Sequence, residues 1–292
     1  MRFILVKIFT IIVSAIDKFF NFFLKKFLFR GYVYQDLRET FKTIDIEGHK
    51  IKVFIPSNLA EWRASNLEEK EPETIEWINN FELDKNIESI FWDIGANIGL
   101  YSLYAAKSHG KNLKIISFEP SVLNLNILAR NISVNNFENE ILINQVPITN
   151  KKNSFLFMKE TFLEEGASLS TYGEDYNFEG KKFNSKMKYK IFGTSLDYYI
   201  ENKILDIPKY IKIDVDGIEH LILETSLKAL ETDLVKSILV EVNENFEDQK
   251  NRIENIMHKC NFSLKKKCRS KNLGKIKELS NTFNYIYFKN DK

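Results

Sequence analysis

Phe91-Trp92-Asp93-Ile94-Gly95-Ala96-Asn97-Ile98-Gly99 reads as a buried strand that runs straight into a glycine-containing turn at the start of a helix. Gly95 and Gly99 carry no Cβ, so the backbone can bend tightly there and bring bare peptide against a ligand at a helix N-terminus. The stretch differs from the dinucleotide fingerprint G-x-G-x-x-G, because Asn97 stands where the second glycine would admit a pyrophosphate. Asp93, just before the turn, adds a carboxylate that disfavours a pyrophosphate and favours a cationic amino or sulfonium group.

The next apolar run, Ile115-Ile116-Ser117-Phe118-Glu119-Pro120, ends in an acid 24 residues beyond Gly95. An acid at about that separation in an α/β sheet accepts hydrogen bonds from ribose hydroxyls, with the ligand beyond the carboxyl ends of the strands. A third run, Tyr210-Ile211-Lys212-Ile213-Asp214-Val215-Asp216-Gly217-Ile218-Glu219-His220, again empties into a glycine turn. Asp214, Asp216 and Glu219 crowd its mouth, and Glu241 and Asn243 close the following strand at the same rim. Such acids can orient a sulfonium, take a proton from a substrate hydroxyl or hold a divalent cation. As proton acceptors the order of preference is Asp216, Asp214, then Glu241 and His220.

Around these motifs, strand-length apolar runs at 89–94, 114–119, 140–146, 209–215 and 236–242 alternate with helical periods at 100–109, 121–135, 195–202, 218–231 and 248–259. That alternation predicts a doubly wound, mostly parallel α/β sheet. Upstream, Ile44 and Ile46, then Ile51, Val53 and Ile55, flank Glu47-Gly48 as a hairpin, and helices are expected at 59–67 and 72–81. Residues 262–267 and 283–289 read as strands separated by a lysine-rich turn. The stretch 161–188 is polar, contains Gly166, Gly173 and Gly180 and lacks a period, so it reads as a long loop or flap, either a lid that contacts substrate or a disordered insertion.

From Arg2 to Arg30 the chain is rich in Phe, Ile, Leu and Val, but Lys7, Asp17 and Lys18 interrupt any spanning run. On a helix, Lys7, Thr10, Ser14, Asp17, Lys18, Asn21 and Lys25 fall opposite Phe9, Ile12, Val13, Ile16, Phe20, Phe23 and Phe27. This amphipathic helix suits a membrane surface. Two other readings stay open: an apolar face that covers the protein's own core, and a secretory signal with Val13-Ser14-Ala15 near its cleavage site. The expected organisation is thus a membrane-associating helix (1–30), a hairpin and helical cap (31–86) and the main α/β domain (87–292).

The 292 residues are 44% hydrophobic and 28% charged, with a net charge of +2. So even a balance gives no case for nucleic acid as a partner, and no basic face interleaved with aromatics is evident. Cys260 and Cys268 lack zinc-ligand spacing and read as reduced thiols.

The ordered series D-x-G-A-N-x-G (Asp93 to Gly99), F-E-P (Phe118 to Pro120), G-x-x-L-D (Gly193 to Asp197) and K-x-D-V-x-G-x-E (Lys212 to Glu219) resembles the FkbM family of methyltransferases between about Phe91 and Val242. The resemblance implies a seven-stranded class I methyltransferase sheet and S-adenosylmethionine as cofactor, bound by Asp93, Gly95, Ala96, Asn97, Gly99, Glu119 and Pro120. It implies methyl transfer to a hydroxyl, commonly of a sugar, glycan or secondary metabolite. The N-terminal helix, outside the resemblance, adds a lipid-linked saccharide as acceptor and a cytoplasmic enzyme peripheral to the inner face of the membrane. No metal ligand is assigned, although the acids leave a divalent cation open. Two departures stand out. Asp216 occupies a position where the family usually carries glutamate, and Val146-Pro147 follow the third strand where a small residue is common. The rival readings are a nicotinamide-dependent sugar oxidoreductase, which lacks its Tyr-x-x-x-Lys pair here, and a non-catalytic membrane-attached binding protein.

Overall fold

The computed structural model describes residues 2–25, 30–84, 88–151, 153–182, 184–269 and 281–291. Phe27 and the lysine-rich turn at 270–280 lie outside the described residues. In chain order the elements begin with α1 (Arg2–Leu24), α2 (Arg30–Arg38), β1 (Phe41–Ile46), β2 (His49–Phe54), α3 (Asn58–Lys70) and α4 (Pro72–Asn79). There follow β3 (Ser89–Ile94), α5 (Leu100–His109), β4 (Leu113–Phe118), α6 (Val122–Val134) and β5 (Ile141–Asn144). Then come β6 (Ser154–Glu160), β7 (Thr171–Tyr172), β8 (Met187–Gly193), α7 (Leu196–Glu201) and β9 (Tyr210–Ile213). The chain closes with α8 (Glu219–Leu223), α9 (Leu227–Leu230), β10 (Ser237–Asn243), α10 (Glu247–Lys259), β11 (Phe262–Cys268) and β12 (Thr282–Lys289).

Seven strands form the central sheet in the order β11-β12-β10-β9-β3-β4-β5, with β12 antiparallel to both its neighbours and the others parallel. Both faces are buried, and side-chain alternation sorts them into two cores. Phe91, Ile115, Tyr210 and Leu239 join the hairpin and helices α3 to α6 on one face. Trp92, Ile116, Ile211 and Ile238 join α7 to α10 on the other. The chain runs outward from β3 through β4 to β5, then returns to lay β9 and β10 on the opposite side of β3. This reversal places the switch point, where ligands bind, between β3 and β9.

The hairpin turns at Glu47-Gly48, both with positive φ as a two-residue turn requires. Asn131 of α6 pins it: the side chain accepts from Phe54 N at 2.7 Å and donates to the Ile98 carbonyl at 2.8 Å. The helix expected at 218–231 is broken into α8 and α9, with Glu224 to Ser226 between them.

Two expectations are corrected. The segment after β5 is not a plain loop. β6, β7 and β8 form a three-stranded antiparallel sheet in the order β7-β6-β8, which the sequence reading missed. The outer side of that sheet does interleave aromatics with lysines, contrary to the reading from sequence. At the N-terminus, α1 turns Ser14, Asp17 and Asn21 inward, while Ile11, Phe19, Phe22 and Phe23 are each 60% exposed or more. Of the apolar face read from the sequence, Phe9, Ile12, Ile16 and Phe23 are exposed, while Val13 and Phe20 are half-buried. No helix among the described residues is long and apolar enough to cross a membrane. Cys260 and Cys268 are free thiols.

Candidate active site

The β3 turn is built by close approach. A Cβ on Gly95 would lie 1.8 Å from the Asp214 carbonyl oxygen, and its φ is +87°. Gly95 N and Ala96 N both donate to the Phe118 carbonyl, and Asp214 N donates to the Ile94 carbonyl, so β4, β3 and β9 are locked together at their carboxyl ends. Gly99, at φ +84°, starts α5 with a Cβ position 2.4 Å from the Leu128 side chain. Gly95→Ala is expected to destabilise the fold by about 3 kcal/mol, combining an unfavourable φ with overpacking. Gly48→Ala has a similar φ, +84°, with nothing within 4 Å of the new Cβ. It should cost only about 1 kcal/mol in parallel thermal melts.

A cavity of about 380 Å³ opens over these strand ends. Its floor carries Gly95, Asn97, Glu119, Pro120, Asp214, Asp216 and Glu241, contributed by four adjacent strand ends. Glu119 is buried, and its two oxygens accept from Asn97 N at 2.7 Å and Ser121 N at 2.8 Å. Burial lifts its carboxyl to about 7 against those hydrogen bonds. Phe118, Val146, Pro147 and Ile148 supply an apolar wall beside it.

Asp214, Asp216 and Glu241 present carboxylate oxygens that lie within 4.8 Å of one another. They do not titrate alike. Burial raises Asp214, but Lys212, bonded at 2.8 Å, and then Lys70 outweigh it and hold the carboxyl below its ordinary range. Burial, then the charge of Asp214, pushes Asp216 up to about 6. Glu241 is raised well above the usual range by burial and then by Asp214, Asp216 and Glu219. The same three oxygens have a spacing that could hold a divalent cation.

The remaining candidates lie off this floor. Asp93 is wholly buried beneath it, accepting from Ser102 Oγ at 2.6 Å in register with Lys212 of β9. Ala96 lines a smaller neighbouring pocket, with Lys212, Tyr101 and Arg63. Glu219 folds back on its own turn, accepting from Val215 N and Gly217 N. His220 does not reach the rim. It is buried edge-on against Phe246, and burial, then Arg252, lowers its pKa to about 4.

The flap closes one side of the cavity with Ala167 to Tyr172. The Ala167 carbonyl accepts from Asn97 Nδ2 at 2.8 Å and Asn124 Nδ2 at 3.1 Å, and Leu169 N donates to Asp216 Oδ2 at 2.7 Å. Helix α3 adds Leu59, Trp62, Arg63 and Lys70, which the sequence reading had placed in a cap. Lys212 was also missed as a site residue, although it stands in the quoted K-x-D motif. Its only signal was a lysine inside an otherwise apolar strand, where a buried charge demands acidic partners.

A seven-stranded sheet in this order, with a glycine turn after β3 and an acid after β4, is the fold of class I S-adenosylmethionine-dependent methyltransferases. The family model described as the methyltransferase FkbM domain matches residues 93–264, more than half of the chain, and the protein belongs to that family. No curated protein sequence matches the chain. Among solved structures it is similar to methyltransferase FkbM from Methylobacillus flagellatus KT, at 14% identity and TM-score 0.45. That match covers 79% of this chain and 52% of the other. A precorrin-6y C5,15-methyltransferase from Geobacter metallireducens GS-15 has 11% identity and TM-score 0.44, covering 76% and 87%. M. capricolum TrmK in complex with S-adenosyl-homocysteine has 11% identity and TM-score 0.40, covering 75% and 68%.

Proposed function

We propose that the protein transfers a methyl group from S-adenosylmethionine to a hydroxyl of a sugar, glycan or lipid-linked saccharide, with Asp216 as proton acceptor. The observation that carries this reading is the electrostatic division among three neighbouring carboxyls. Lys212 holds one below the ordinary carboxylate range, burial and a neighbouring charge push the second up to about 6, and burial with three neighbouring acids raises the third well above its usual range.

The residues fit the cofactor. Each oxygen of Glu119 has a lone pair left after its backbone bond, enough for the two ribose hydroxyls. The apolar wall of Phe118, Val146 and Ile148 suits adenine, and the acids of β9 and β10 suit a cation. Neighbouring strands lie about 4.8 Å apart, so Glu119 and these acids flank the β3 turn on opposite sides. When bound, the cofactor supplies an electrophilic methyl on positively charged sulfur.

The chain's own work is then alignment and proton removal. Asp214, kept ionised by Lys212, favours the cationic centre. Asp216 has one oxygen held by Leu169 N, which leaves the other to accept the acceptor's hydroxyl proton as the oxygen attacks. The flap excludes water.

Glu119 gives a pH dependence. Hydroxyl donors favour its charged form, so protonation near 7 removes an acceptor. Affinity for S-adenosylmethionine should be full above about pH 8 and fall as pH drops through about 7, by at most about tenfold per unit. Isothermal calorimetry across that range checks it.

The reading includes α1 at a membrane surface, supported by the exposed apolar side chains of Phe9, Ile12, Ile16 and Phe23 and by the exposed Lys7, Lys18 and Lys25. Formation of S-adenosylhomocysteine in time with methylated saccharide tests the activity. Methylation of RNA with no turnover of saccharide acceptors would replace the acceptor assignment.

A further inference from the structure

The outer side of the small sheet matches no requirement of the cavity behind it. Along β6 the side chains that face outward are Phe155, Phe157 and Lys159, and along β8 they are Lys188, Lys190 and Phe192. The register pairs Phe155 with Phe192, Phe157 with Lys190 and Lys159 with Lys188. Phe155 is 67% exposed, and its ring meets Phe192 edge-on at 5.6 Å. Lys188 and Lys190 set their ammonium groups 5.5 and 5.2 Å from the Phe157 ring. The strip continues past β6 into Phe162, with Lys186 over its ring at 5.7 Å, and Leu163, 63% exposed.

Both features cost the free protein something. Exposed rings on a sheet forgo burial, and lysines directly opposite one another repel. Asp175 takes up the charge of Lys159, but the strip as a whole is cationic and apolar together.

We propose that this Phe/Lys face is a second contact with an anionic lipid bilayer, with the rings entering the acyl boundary and Lys186, Lys188 and Lys190 reaching the headgroups. It rests on the membrane reading of α1. Charge complementarity argues for an anionic surface. The aliphatic content argues for a bilayer over nucleic acid: Leu163 and the outward face of α1 offer nothing to a phosphate backbone. The two surfaces are linked, since Glu165, two residues past Leu163, is held by Arg38 at the end of α2, against which α1 packs. The inner side of the same sheet supplies Met158 and Tyr172 to the cavity. Seating the outer side on lipid therefore sets one wall of the cavity against the bilayer.

The test is co-sedimentation of the full chain with phosphatidylcholine vesicles, with and without phosphatidylglycerol. Lys188→Gln with Lys190→Gln should weaken binding to the anionic vesicles by about thirtyfold. Phe155→Ser with Phe192→Ser should weaken binding to both kinds. All four side chains are solvent-exposed, so melting temperature and affinity for S-adenosylmethionine should match the parent. As a control, Phe22→Ser with Phe23→Ser alters α1 alone. If that control loses binding while both sheet variants bind like the parent, this inference is overturned and the α1 reading stands. If the parent binds neither vesicle, both are overturned. Sheet variants that instead lose only poly(U) retention, or only a dimer seen by light scattering, assign the face to RNA or to a second copy and overturn it as well. None of these outcomes bears on methyl transfer, which is read separately with a soluble acceptor.

Discussion

Asp216→Asn is expected to lower kcat by about 10²–10⁴-fold, the range for loss of a positioned general base. The substitution keeps shape, tolerates the positive φ at this position and retains an oxygen for the Leu169 N–H. Only the capacity to take a proton is removed. Affinity for S-adenosylmethionine should change little, so single-turnover and calorimetric measurements together separate chemistry from binding. Asp214→Asn should act differently. Its carboxylate is paired with buried Lys212, so the change leaves that lysine short of a partner and should weaken cofactor binding and stability together. Near-normal turnover in both variants, with cofactor still bound, would remove the acid cluster from the mechanism. In the parent, kcat should fall as pH drops through about 6, where Asp216 protonates.

The second large effect is expected at Glu119. Replacement by alanine removes both acceptors proposed for the ribose and strands the Asn97 and Ser121 N–H groups. Two hydrogen bonds to a charged group contribute roughly 1.5–3 kcal/mol each, so the dissociation constant should rise by about 10²–10⁴-fold. Glu119→Gln, which keeps one acceptor oxygen, should fall between parent and alanine variant. Calorimetry with both variants measures the series, and unchanged affinity in each would place the ribose elsewhere.

The central sheet was legible because its strands are buried on both faces and read as unbroken apolar runs, while the helices between them keep their own period. Phe91 to Gly99 carries both signals within nine residues. The small sheet was missed although Phe155-x-Phe157 and Lys186-x-Lys188-x-Lys190 both alternate. Its outward positions are aromatic or cationic rather than plainly polar, which hides the usual apolar-polar contrast of a half-buried strand. The site divides the same way. Gly95, Asn97, Glu119, Asp214, Asp216 and Glu241 sit at strand ends, so topology brings them together once strand order is known. Arg63 and Lys70 reach the cavity from α3, outside the matched family region, and only tertiary packing puts them there. His220 follows Glu219 in sequence, yet the first turn of α8 rotates it into the pocket formed with Phe246 and away from the acids.

Methyl transfer by this protein requires a cavity that grips an adenosine bearing a positively charged sulfur. A crystal structure grown with S-adenosylmethionine examines this most directly. The expected result is ribose hydroxyls on Glu119 and the methyl group directed toward Asp216 beneath the flap. A vacant cavity at saturating cofactor, or one that accepts a diphosphate nucleotide such as NAD in its place, would contradict it.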